Sequence, residues 1–184
     1  MSATVSLIQR NGTYPGIVTQ NVSSINWKAI DDTTTPYTSY NAVIGLGTNS
    51  FTQYICVRFS GSFTSVGNVS VTHLSGTLPS GIKLMSSPSI TLSSASLPYA
   101  TPTRSVNNSL TSYNLTGLGS SVDLLVGLPA SSGDAASSPG KSLFTNNVGS
   151  PVYTNYFVTQ LQTVSTAQAG DIGNIVLQVT YDEI

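Results

Sequence analysis

In the stretch SFTQYICVRFSG, residues 50–61, apolar and polar side chains alternate with a period of two. Phe51, Ile55, Val57 and Phe59 fall on one side, and Thr52, Tyr54, Cys56 and Arg58 on the other. Only an extended strand turns alternate residues to opposite faces, so this pattern excludes a helix here. The same period recurs at Val122, Leu124, Val126 and Leu128 in SVDLLVGLP, and at Ile175, Leu177, Val179 and Tyr181 in GNIVLQVTYDEI. YTNYFVTQLQTV, residues 153–164, is apolar on both faces, as in a strand covered on both sides. Residues 68–76, 81–87 and 89–96 supply shorter strand candidates. Clusters of Gly, Pro, Asn and Ser separate these runs, and no window carries the i, i+3, i+4, i+7 apolar spacing of a helix. The chain is therefore expected to be all-β: an antiparallel β-sandwich, jelly-roll-like, with roughly eight strands from Ser50 onward. An immunoglobulin-like sandwich is the competing architecture.

Residues 1–50 read differently. TVSLIQRNGTYPGIVTQ forms a candidate hairpin over residues 4–20, turned at Asn11-Gly12, a dipeptide that two-residue turns favour. The next stretch, to residue 50, is β-branched and interrupted by proline, with few alternating runs. The expected organisation is thus an extended N-terminal arm, 1–50, and a sandwich domain, 51–184. Removal of residues 1–40 is expected to leave that sandwich folded.

Charged residues make up 7% of the chain, against about 25% in ordinary soluble proteins. The polar fraction is hydroxyl instead, with 30 Ser and 23 Thr among 184 residues. Such a surface is weakly defended by charge against association, which suits a protein packed against neighbours. The net charge is −1, and Arg10, Lys28, Arg58, Lys83, Arg104 and Lys141 are scattered, so no basic face for nucleic acid is expected. No apolar run reaches 18 residues, no basic and apolar leader is visible, and Cys56 has no partner cysteine. These features point to synthesis in a reducing cytoplasm, without a membrane span.

The search for chemistry yields no catalytic, cofactor-binding or metal site. Asp31 and Asp32 are adjacent, so on a strand they diverge; in a turn they cap backbone N–H groups. They lack the ligand spacing of a calcium loop. His73 follows Val69 and Val71 onto one face and is expected to be a half-buried structural residue. SSPGKS, residues 137–142, has Ala135 where a phosphate-binding loop needs its first Gly. Trp27, Tyr37 and Tyr40 lie within 14 residues, and such aromatic residues are enriched at interface cores. Trp27, Asp31, Asp32, Tyr37 and Tyr40 are therefore the expected interface residues. The alternative for Trp27 is that it plugs one end of its own sandwich. A sugar-binding module is a further alternative, since nine tyrosines and Trp27 offer rings to stack on, although polar clusters around them are thin.

SSINWKAIDDTTTPYTSY and GTNSFTQYICVRFSGSF near the front, with YFVTQLQTVSTAQAGDIGNIVLQVTYDE at the end, resemble small structural proteins of tailed bacteriophages. The resemblance covers residues 21–63 and 153–183 and is closest to head decoration, or cement, proteins. It implies a non-enzymatic virion component on the capsid surface, a homotrimer that bridges major capsid protein subunits. A tail or baseplate protein is the alternative within the same class.

Overall fold

The computed structural model describes residues 3–13, 16–88, 101–105, 113–124, 142–144, 151–154, 156–168 and 172–183. Their regular structure is strand, apart from one 3-10 turn at Tyr40–Ala42, and the expected all-β class holds. The strands are β1 (Ala3–Asn11), β2 (Ile17–Gln20), β3 (Gln53–Gly61), β4 (Ser65–Ser75), β5 (Ile82–Pro88) and β6 (Tyr113–Asn114). They continue with β7 (Ser121–Asp123), β8 (Ser142–Phe144), β9 (Val152–Tyr153), β10 (Phe157–Thr163) and β11 (Val176–Glu183). All described pairings are antiparallel, in two sheets consistent with a sandwich. The larger runs β2-β1-β3-β10-β5-β6, with β9 also on β3; the smaller runs β11-β4-β7, with β8 also on β4. The expected strands at 89–96 and at Val126 and Leu128 lie outside the described residues.

The core sits between the sheets. Ile55, Val57 and Phe59 of β3, with Leu161 of β10 and Leu84 of β5, meet Val66, Val69, Val71 and Val122 of the smaller sheet. The alternation in β3 is as read from the sequence, and in β11 Leu177, Val179 and Tyr181 pack on this core while Gln178 and Thr180 face out. The rings of Phe59 and Tyr181 cross the two sheets edge to face at 5.0 Å. Strand β4 keeps its apolar residues inward by a register shift: Ser70 faces Thr180, but Gly67 faces Asp182. One extra residue is thereby absorbed near Asn68, which adopts a positive φ of 50°, and Val66 and Val69 both turn inward.

The other face of the larger sheet is buried as well. Ile8, Tyr54, Cys56, Met85, Tyr156 and Val158 form a second cluster there. This explains the double-sided apolar pattern of β10. Several polar side chains inside the fold are satisfied by neutral groups. Gln160, with no exposed surface, donates its amide to the carbonyls of Ser50 (3.0 Å), Ser105 (3.2 Å) and Thr103 (3.3 Å). The chain before β3 and the 101–105 segment are thus both tied to β10.

The N-terminal arm requires correction. β1 pairs with β3 from Ala3↔Gly61 to Arg10↔Tyr54, so residues 3–11 are a full strand of the larger sheet. Alternation in TVSLIQ gives β1 an inner face, with Ala3 in the main core and Leu7 against it, and burial there outweighs freedom as an arm. Deleting residues 1–40 would strip a strand from β3. The hairpin itself is present, but it closes at Asn11↔Ile17, leaving a connection over 12–16 in place of a two-residue turn. Only the stretch from 21 to 50 lacks strands of its own, apart from a bridge between Asn49 and Gln162. Phe59→Ala is expected to cost about 3–5 kcal/mol of stability, read as a lowered urea midpoint, because its ring fills the space between both sheets.

Candidate functional site

The 21–50 segment is fastened to the sandwich by a few specific bonds. Lys28 is 2% exposed, an unusual place for an ammonium, and it is compensated locally. Its Nζ donates to Asp32 Oδ1 at 2.7 Å and to the Thr35 carbonyl at 2.8 Å. Asp32 in turn accepts from the Thr35 amide (2.9 Å) and the Thr35 hydroxyl (2.5 Å), closing the 32–35 turn. The Lys28 ammonium, foremost, and the Thr35 donors hold the Asp32 carboxyl well below the usual carboxylate range. Main-chain bonds from Phe51 N to Lys28 O and from Ala29 N to Ala42 O, both 2.9 Å, pin the two ends of the segment together.

Asp31 has a different task. Its two carboxylate oxygens accept from Asn11 Nδ2 (2.9 Å) and Gly12 N (2.7 Å), at the start of the β1–β2 connection. Gly12 has a φ of +84°, a conformation that an L side chain rarely adopts. The two neighbouring carboxylates therefore diverge to separate donors and do not converge on a shared ligand. Both are turn-capping residues, as the sequence allowed.

The aromatic residues separate in the same way. Trp27 is half-buried and packs against the main core, the placement of its alternative reading as a plug on its own sandwich. Its indole Nε1 is buried without a described acceptor. Tyr37 and Tyr40 point outward, 62% and 96% exposed. Val43 and Leu46, which the sequence reading passed over, are exposed beside them in the chain at 58% and 49%. The signal that could have found them was the absence of charge: residues 33–57 contain no Asp, Glu, Lys or Arg. Lys28 was also missed, because a lone lysine in sequence reads as surface.

His73 is fully buried, more than expected. Its Nδ1 lies 2.8 Å from the Leu115 carbonyl and its Nε2 3.1 Å from that of Ser75. The ring thus lies between two carbonyls, that of Ser75 in β4 itself and that of Leu115 in the neighbouring main chain. Cys56 is buried, and burial pushes its thiol up to about 12. Among the described residues no group of three or more His, Cys, Asp or Glu is placed to hold a metal ion, and no helix is long and apolar enough to cross a membrane.

Compared with protein-family models, with curated proteins and with solved structures, the chain finds no match. The phage resemblance rests on the quoted segments alone.

Two outcomes follow from these bonds. Asp32 carries a lowered folded-state value, so its contribution is complete above the unfolded carboxylate value of about 4 and is lost as pH falls toward the folded one. Asp32→Asn should lower stability at pH 7 by about 2 kcal/mol, less than a fully buried pair because Asp32 is partly exposed. The difference from wild type should shrink as denaturation is followed down through pH 4 and below. Cys56 should resist a thiol reagent at pH 7 in the native protein and react fully in urea; rapid native labelling would contradict its burial.

Proposed function

We propose that this chain is a non-enzymatic structural protein of a phage virion, one that decorates and cements the capsid by bridging major capsid subunits. The single observation that carries this reading is the charge-free 36–46 surface, where Tyr37, Tyr40, Val43 and Leu46 stand exposed on a segment that Lys28, Asp32 and Thr35 close on itself and Asp31 ties to the hairpin. Large apolar side chains on a firmly held loop lose little freedom on docking, and tyrosine keeps its hydroxyl bonded while burying its ring. The contact is made by a loop of a rigid body and not by a free arm. Many modest contacts over a shell would add as avidity. A jelly-roll connection of the strands, a trimeric state and a place on the virion surface belong to the same proposal, as does assembly without nucleic acid or membrane. The resemblance of residues 21–63 and 153–183 to decoration proteins supports it.

Quantitative mass spectrometry of purified particles tests the reading. Copies comparable in number to the major capsid protein are expected. A small number set by a tail axis would instead make it a tail or baseplate protein, and absence from particles would end the virion reading. The double variant Tyr37→Ala/Tyr40→Ala, whose side chains lie outside the core, should fold normally and bind shells at least about tenfold more weakly. Undiminished binding would move the contact elsewhere.

A further inference from the structure

Between the β1–β2 hairpin and the segment that follows it lies a recess of about 210 Å³. Of the eleven residues around it ten carry polar side chains, Val22 being the exception. Two of them are more than nine-tenths buried and keep hydrogen-bonding capacity in reserve. Lys28 uses two of its three ammonium protons, on Asp32 and Thr35, and no described residue accepts the third. Gln9, 6% exposed, donates its amide to Gln53 Oε1, while its own Oε1 accepts from no described residue. Gln9 Oε1 is not among the buried polar atoms left without a partner, so it opens onto the recess, where a ligand hydroxyl can take the place of water.

The charge and shape of the recess select what that can be. The Lys28 ammonium and the Asp32 carboxylate, 2.7 Å apart, offset each other, so an anion would meet the carboxylate and a cation the ammonium. A largely apolar ligand would find only Val22, and no aromatic ring lines the recess for a flat base to stack on. Exposed amides of Gln20 and Asn26, with the Ser24 hydroxyl, surround the opening and each offers both a donor and an acceptor. Vicinal hydroxyls have the same dual character without charge.

We propose that this recess binds one ring of an uncharged saccharide, with Lys28 and Gln9 bonding its inner hydroxyls and Gln20 and Asn26 its outer ones. The site is built without Tyr37 or Tyr40, so it stands apart from the capsid reading and survives if that reading fails. It also differs from the ring-stacking mode expected from the tyrosines, since recognition here is by hydrogen bonds alone. A small, open, polar site of this kind implies weak binding, with a dissociation constant on the order of 1 mM.

Saturation-transfer NMR on the full chain with glucose, galactose, mannose and N-acetylglucosamine provides the test. Transfer to the ring protons of at least one sugar is expected, weakened about tenfold or more in Asn26→Ala and in Gln20→Ala. Both residues are exposed, and circular dichroism verifies that the variants fold. An oligosaccharide ending in the responding sugar separates the two sources: tighter binding assigns a glycan chain, and equal binding a free sugar. No transfer from any of the four, transfer unchanged in both variants, or displacement of the sugar by inorganic phosphate would each overturn the proposal.

Discussion

Strand β3 is hydrogen-bonded along both edges and buried on both faces, and the rest of the molecule is arranged to make that possible. β1 lies along one edge, while β9 and β10 share the other. Where those two strands part, Thr154 keeps the ladder intact: its amide donates to Val57 O, and its hydroxyl accepts from Val57 N, both at 3.0 Å. One face of β3 needs the smaller sheet, and the other needs Ile8, Met85, Tyr156 and Val158. A strand enclosed in this way over residues 53–57 leaves little backbone for water to satisfy, so its neighbours take up those groups.

Burial without charge is the second theme. Gln160, Gln53, Thr159 and His73 have almost no exposed surface, and each is bonded to backbone or to another neutral side chain. Neutral groups cost less to desolvate than ions and are satisfied by one or two carbonyls, so a Ser-, Thr- and Gln-rich chain can bury polar side chains widely. Lys28 departs from this pattern. Its charge is balanced within the 21–50 segment by Asp32, while Asp31 ties that segment to the hairpin.

That fixed path gives the molecule two surfaces of opposite character. The 36–46 stretch is apolar and aromatic, and the recess beside the hairpin is polar and amide-rich. The Lys28–Asp32 pair belongs to the lining of the recess. Neither surface uses Trp27, whose ring stays on the core.

The alternation at residues 51–59 and 175–181 by itself determined the strands, their inward faces and the all-β class, because side-chain period is a local property of extended backbone. It also made Asp31 and Asp32 legible as turn caps, since adjacent carboxylates have few other local uses. Pairing partners are not local. Nothing in TVSLIQRN distinguishes a strand of an arm from a strand of the central sheet; that is decided by which edge of β3 remains open. The burial of Lys28, the outward display of Tyr37 and Tyr40, and the recess over Gln9 likewise arise only when distant segments meet. Sequence fixes which faces seek cover, but only the tertiary structure decides what covers them, because a hydrophobic face does not specify its partner.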